Sequence, residues 1–111
     1  VGIVRLDNDR QRTRMKRYYV YILTNERGYV LYTGVTDDLN RRMNEHRAHI
    51  DPQSFTARYD IGKLIYYEEY GNIRDAIERE KQIKSWRRVK KIDLIATFNP
   101  RWEELMPREE N

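Results

Sequence analysis

The sequence predicts a single α+β domain built on a three-stranded antiparallel sheet flanked by helices, in the order β-β-α-β-α. Three observations carry this. YYVYILT (18–24) and YVLYTGV (29–35) are aromatic and β-branched runs separated by four residues ending in glycine, the pattern of a hairpin. KLIYYEEY (63–70) is a third strand-like run. The segments between and after these runs repeat apolar residues at helical spacing, and no pair of equivalent strands brackets a helix as a parallel βαβ unit requires.

The elements follow in chain order. Residues 1–15 are set aside as a flexible basic extension: residues 1–17 hold six Lys/Arg against two Asp, and Met15 stands where the ordered pattern begins. In 18–24 both alternating sets, Tyr19, Tyr21, Leu23 and Tyr18, Val20, Ile22, are apolar or aromatic, which suits a central strand buried on both faces. Asn25 to Gly28 then read as a four-residue loop. If Thr24 pairs with Tyr29, Tyr21 faces Tyr32 and Tyr19 faces Gly34 across the hairpin.

Thr36, Asp37 and Asp38 offer a helix cap with acids in the first turn. The helix they start places Leu39, Met43, His46 and Ile50 on one stripe, with Arg42 at its border and one turn from His46. A loop from 51 to 62 leads to the third strand. A second helix is expected from about 72 to about 88, capped by Asn72, with Ile73, Ala76, Ile77 and Ile83 as its apolar stripe. Glu80 interrupts that stripe at its centre. A carboxylate pointed inward is costly without a cation or several donors, so Glu80 is either ion-paired or a ligand. Asn99-Pro100 breaks the chain, RWEEL can form a short amphipathic turn, and residues 106–111 make a polar tail after a domain spanning 16–105.

Composition limits the chemistry. The 111 residues contain no cysteine, which excludes disulfides, thiolate catalysis and cysteine-ligated zinc, and two histidines are too few for a histidine-rich metal site. No apolar run approaches the ~18 residues of a membrane span, so no membrane partner is expected, and the cytoplasm is the expected compartment. The net charge of +4 favours a polyanionic partner. Lys81, Lys84, Arg87, Arg88, Lys90 and Lys91 put six cations into eleven residues without an acid, more than the end of one helix dipole calls for.

Taken together, these residues resemble the GIY-YIG nuclease superfamily, in particular its small bacterial single-domain members and the N-terminal nuclease domain of the ABC excinuclease. Tyr19-Val20-Tyr21 stands where the family writes GIY, and Tyr32-Thr33-Gly34 where it writes YIG, with ten residues between them. Arg42, eight residues after Gly34, and His46, one turn later, match the family's arginine and histidine; Glu80 in AIEREKQIKSW matches its metal-binding glutamate. The resemblance covers roughly residues 16–105. Two positions depart from the pattern: Tyr19 replaces the first glycine of GIY, and Thr33 replaces the isoleucine of YIG.

The resemblance implies a Mg²⁺- or Mn²⁺-dependent endonuclease acting on DNA, in repair or recombination, with no small-molecule cofactor. Tyr32 would take a proton from water, Arg42 would bind the scissile phosphate, Glu80 would hold the cation, His46 would assist proton movement or orient Tyr32, and Tyr21 would position water or substrate. A phenol, with an ordinary pKa of ~10, is a poor base at neutral pH, so a neighbouring cation has to activate it. One glutamate is few ligands for Mg²⁺, which keeps waters and borrows phosphate oxygens, so the metal is expected to bind well only with DNA present. Gly34 would leave room for a phosphate, and the Lys81 to Lys91 run would contact DNA. So small a domain reads little base sequence, which favours structure-directed or low-specificity nicking over a long recognition site. The alternatives are a nucleic-acid-binding module of the same fold without turnover, and a protein-interaction domain whose basic helix meets an acidic partner.

Overall fold

The computed structural model describes residues 16–48 and 53–106. The expected extension at 1–15, His49, Ile50 of the first helical stripe, Pro52 and most of the polar tail lie outside the described residues.

Strands β1 (Tyr18–Thr24), β2 (Leu31–Thr36) and β3 (Lys63–Tyr70) form one antiparallel sheet in the order β2-β1-β3. As its two apolar faces require, β1 is central. One face carries Tyr19, Tyr21, Leu23, Tyr32, Leu64 and Tyr67 and is covered by Leu39 and Met43 of helix α1 (Leu39–Ala48), with Ile61 beside them. The short helix α2 (Phe55–Arg58) adds its buried Thr56 on this side. The other face carries Val20, Ile22, Ile65 and Tyr66. It is covered by Ala76 and Ile83 of helix α3 (Ile73–Lys84), Ile95 of helix α4 (Arg88–Phe98), Trp86 and Trp102. A bulge on β3 opposite the Ile22/Leu23 step places Ile65 and Tyr66 together on this second face.

Two expected helix caps are present, although the acids expected in the first turn of α1 precede the helix and Asp38 itself does the capping. Asp38 Oδ1 accepts the Arg41 backbone N–H at 3.0 Å, and the Asn72 side chain accepts the N–H groups of Arg74 (2.7 Å) and Asp75 (3.3 Å).

The hairpin register differs from expectation by two residues. Tyr21 lies opposite Gly34, Tyr19 opposite Thr36, and Leu23 opposite Tyr32. The connection spans residues 25–30, six residues and not four, because Asn25 organises it. Its side-chain oxygen accepts Tyr29 N–H at 2.9 Å, and its carbonyl accepts Gly28 N–H at 3.0 Å. Gly28 stands at φ 72°, and Thr24 Oγ1 donates to Val30 O at 2.8 Å. A slip of two keeps every side chain on its expected face, since the side-chain period of a strand is two.

The C-terminal half differs more. The expected single helix to about 88 ends at Lys84. Ser85 N–H bonds back to Lys81 O and Gln82 O, its hydroxyl donates to Gln82 O at 2.7 Å, and Trp86 turns its ring inward beneath Arg79 and Lys90. The helix α4 that follows was not expected. In place of an amphipathic RWEEL turn, Asn99 closes a tight turn with Trp102 at φ 55°. Leu105 N–H then donates to Leu64 O at 2.8 Å, so this segment covers part of the free edge of β3.

A buried polar cluster holds the second face together. Glu68 on β3 is 1% exposed and accepts hydroxyl hydrogen bonds from Tyr66 and Tyr70, while Arg79 of α3 grips its carboxylate through Nε (3.0 Å) and Nη2 (3.0 Å). Burial alone would raise the carboxyl pKa, but the hydrogen bonds from Arg79, Tyr66 and Tyr70 outweigh it and hold Glu68 below the usual carboxylate range. The unfolded chain therefore binds a proton more readily than the folded one. The pair's contribution is complete above the ordinary Glu value of ~4.3 and is lost as pH falls through the lower folded value. Removing one partner strands a buried charge, so Arg79→Met should cost about 3–5 kcal/mol in urea unfolding at pH 7. The double change with Glu68→Leu should cost less than the sum of the two single changes; full additivity would show that the pair is not coupled.

Candidate active site

The first face of the sheet gathers four of the five expected catalytic residues. Tyr21 projects from the centre of β1 beneath α1. Arg42 and His46, one turn apart on α1, both reach its hydroxyl: Arg42 Nε–H donates at 3.3 Å, and His46 Nε2 lies at 3.2 Å. Tyr32 stands diagonally across the hairpin, its ring 6.3 Å from Tyr21 and edge-on to His46 at 5.4 Å.

What brings Tyr21 here is Gly34. The phenol lies over this glycine so closely that a Cβ there would sit 2.4 Å from Tyr21 Oη and 2.5 Å from Cζ. The gap expected for a phosphate is thus filled by Tyr21's own ring, and Gly34 serves to seat it.

The hydrogen bonds fix the protonation pattern. Tyr21 is 1% exposed, and burial pushes its hydroxyl up to about 12 despite the opposing hydrogen bond from Arg42, so it stays protonated at neutral pH. His46 is buried, and burial followed by the Arg42 charge pushes it down to about 4, so its ring is neutral. A neutral ring has one donor and one acceptor. Were Nε2 the protonated nitrogen, Tyr21 Oη would accept from both Arg42 and His46 and its own hydrogen would be left without one of these partners; the tautomer that pairs it has Tyr21 donating to Nε2. Nδ1 then carries the proton and donates to Thr56 Oγ1 at 2.9 Å, and that hydroxyl lies 3.2 Å from Ser54 Oγ, the N-cap of α2. Arg42, Tyr21, His46, Thr56 and Ser54 are thus linked in one hydrogen-bonded chain. Both ring nitrogens of His46 are engaged within the protein.

Arg42 is half-buried. Burial works against its charge, but hydrogen bonds to Tyr21 and Glu45, with a further contribution from Tyr32, raise its pKa above the ordinary arginine value. Its Nη1 donates to Glu45 Oε1 at 2.9 Å, so its acidic partner is Glu45 and not Glu80. Arg41 joins the rim of the site through Asp37 (3.3 Å) and Glu45 (3.6 Å), and Lys16 reaches Asp37 at 3.1 Å.

Glu80, on α3, is 14% exposed and pairs with Lys84 one turn later at 2.8 Å. Its charge is felt at Tyr21, where it opposes ionisation, but no hydrogen bond joins it to the cluster. Among the described residues no three or more His, Asp or Glu side chains are grouped as a metal site. The donor set suits a hard cation that takes one carboxylate and fills its remaining positions with water and phosphate oxygens.

Several of the expected DNA-contacting cations are engaged within the chain. Lys81, Lys84, Arg87, Arg88 and Lys90 are exposed. Lys84 is held by Glu80, Arg88 Nη2 donates to Gly28 O at 3.0 Å, and Lys90 lies 4.4 Å above the Trp86 ring. Arg17 is ion-paired with Glu69 in a largely enclosed site. Sequence reading missed Glu45, Ser54, Phe55 and Thr56. For Glu45 and Ser54 a signal existed: Glu45 stands three residues after Arg42, and Ser54 immediately precedes α2 as a cap.

Residues 17–93 match the GIY-YIG catalytic domain. A UPF0213 protein of Staphylococcus aureus is 35% identical over 81 residues, covering 73% of this chain and 96% of its own length. One of Staphylococcus saprophyticus is 32% identical over 82 residues, covering 74% and 98%. A UPF0213 protein of Bacillus halodurans, determined by solution NMR, superposes with a TM-score of 0.51 at 27% identity, covering 79% of this chain and 92% of that one.

Two outcomes are expected. Gly34→Ala should cost about 1–3 kcal/mol by forcing Tyr21 off its seat, and should perturb the His46 ring resonances; an unchanged ring signature would show that the phenol has not moved. In long-range ¹⁵N–¹H spectra His46 should remain the Nδ1–H tautomer from pH 8 to below 6. Because its folded pKa lies below the unfolded ~6.5, His46 should make the protein progressively less stable as pH falls from ~6.5 towards 4. A protonated His46 at pH 6 would contradict the assignment.

Proposed function

The chain belongs to the GIY-YIG family, a nuclease superfamily, and on that premise we propose that it is a divalent-metal-dependent endonuclease that hydrolyses DNA phosphodiester bonds. The observation that carries this reading is the convergence of Tyr32, Arg42, His46 and Tyr21 on one face of the sheet. Phosphodiester hydrolysis needs an activated water and cations against the charge that grows on the phosphoryl oxygens.

In this reading Tyr32 removes the proton from the attacking water. Being half-buried, it has one side open to the site, whereas Tyr21 is buried and held protonated. Arg42 binds the scissile phosphate in a planar, bidentate manner. A guanidinium that stays charged while partly buried is suited to that task. Tyr21 and His46 are positioning residues: Tyr21 holds Arg42 Nε, and His46 holds Tyr21 and the edge of Tyr32. With both ring nitrogens committed, His46 is not a proton shuttle to solvent. Glu80 would hold Mg²⁺ or Mn²⁺, which when bound supplies Lewis-acid stabilisation of the phosphate and the leaving oxygen. The cations of Lys81 to Lys91 would add salt-dependent attraction to the DNA backbone.

One observation favours a second reading, a nucleic-acid-binding module without turnover: Glu80 is already neutralised by Lys84, and no further carboxylate is grouped with it among the described residues. A single experiment separates the two. Supercoiled plasmid and branched DNA are incubated with the protein in Mg²⁺ or chelator, beside Tyr32→Phe, Glu80→Ala and Arg42→Ala. The nuclease reading expects cutting only with metal and losses of about 10²-fold or more in Tyr32→Phe and Glu80→Ala. Salt-sensitive binding without cutting in any arm would establish the binding module instead.

A further inference from the structure

Next to the site, three aromatic rings lead outward in a row. Tyr32 is stacked on Phe55 at 6.2 Å with 27° between the planes, and Phe55 lies 4.8 Å from Tyr59. Phe55 and Tyr59 are each 45% exposed, so neither is there for the sake of the core. Phe55 opens α2 and Tyr59 directly follows it, and this short helix is firmly anchored. Ser54 caps it, Thr56 faces inward onto His46, and Ile61 N–H closes onto Thr56 O at 2.8 Å. The same short helix therefore holds the catalytic-face histidine with one residue and presents two rings to solvent with its neighbours. The Arg58 guanidinium stands 5.9 Å from the Tyr59 ring centre, placing a cation beside the rings.

We infer that Phe55 and Tyr59 form a stacking platform for an unpaired nucleobase beside the phosphate held by Arg42, so that the site takes single-stranded or frayed nucleic acid in preference to continuous duplex. The inference rests on the nuclease reading of this site for its register relative to the phosphate. An exposed π-face next to a phosphate-binding arginine matches the two parts of a nucleotide, base and backbone, in the order in which they occur along a strand. Bases inside a duplex are already stacked on one another and reach a protein ring only after unpairing, which costs a few kcal/mol. A base that is already free avoids that cost. Arg58 adds a cation beside the rings, and stacking on Phe55 and Tyr59 would be tolerant of base identity.

The test uses the whole chain in chelator, so that binding is read without chemistry. Fluorescence anisotropy compares a labelled single-stranded oligonucleotide with the matched blunt duplex. The wild type should prefer the single strand. Phe55→Ala and Tyr59→Ala should each weaken single-strand binding about tenfold while leaving duplex binding within twofold, and Phe55→Trp should restore it. Phe55→Leu, which keeps apolar volume without a π-face, should behave like Phe55→Ala and guards against a folding defect in the alanine variant. Equal loss on both DNAs, no loss, or full binding in Phe55→Leu overturns the platform. So does a change of oligomeric state in Phe55→Ala with single-strand binding intact, which would make the rings a contact between protein molecules. Cleavage assays of the same variants keep the two proposals apart. Metal-dependent cutting that ignores Phe55 leaves the nuclease without the platform, whereas Phe55-dependent single-strand binding without cutting leaves a binding face and removes the nuclease.

Discussion

The packing of the Tyr21 phenol over Gly34 is the contact on which the first face of the domain depends. A central strand bordered on both sides cannot tilt a tyrosine sideways unless a cross-strand position lacks a side chain, and Gly34 supplies that position. Once the ring lies there, its hydroxyl stands beneath α1, where Arg42 and His46 meet it from consecutive turns. Tyr32, two residues before Gly34 on the same face, is then diagonal to Tyr21 instead of opposite. That offset leaves space for the imidazole edge to approach both phenols, at 6.0 Å from Tyr21 and 5.4 Å from Tyr32.

The two faces of the sheet solve the same difficulty, a polar group in an enclosed place, in different ways. On the first, neutral groups are linked in a chain: protonated Tyr21, neutral His46, and the hydroxyls of Thr56 and Ser54, with Arg42 at the rim. On the second, an ionised Glu68 is surrounded by Arg79 and two phenols. A buried carboxylate met by a planar guanidinium and two hydroxyls has its charge and its lone pairs satisfied together, which is the condition under which such a pair is tolerated. The first arrangement carries little fixed charge inside, which leaves the charge of Arg42 at the edge where an anion can reach it. The second holds α3, and with it Glu80, against the sheet.

Much of this was legible in the sequence, where it depended on period alone. The expected register, though two residues off, had the parity that puts Tyr21 and Tyr32 on one face, the i, i+4 spacing placed Arg42 beside His46, and Asn72 announced the start of α3. None of these needs knowledge of distant residues. The hairpin register was not legible, because it is set by Asn25 folding a six-residue loop with its own side chain. A shorter loop reads equally well from NERG. Nor was the Glu68–Arg79 pair, eleven residues apart on a strand and a helix whose relative placement is a tertiary fact. The break after Lys84 also depends on tertiary packing, since KSWRRVKK has no proline or glycine and turns only because Trp86 is drawn to the core.

The charge balance of the site has a consequence for how a phosphate would enter it. Each charged group at the site already has a partner within the chain: Arg42 has Glu45, Glu80 has Lys84, and Arg41 has Asp37 and Glu45. On the nuclease reading, a phosphate approaching Arg42 would meet an ion pair, and binding would exchange one oxyanion for another. Glu45 is about one-third exposed and sits on the outer side of α1, so it can be released to water at the small cost typical of surface pairs. Tyr21 is not released in the same way, because its ring is seated on Gly34 and its hydrogen bond holds Arg42 Nε from behind. The guanidinium thus keeps its fixed side and gives up its mobile one. Such a handover would let a small domain hold an arginine in position before substrate arrives without leaving its charge unpaired.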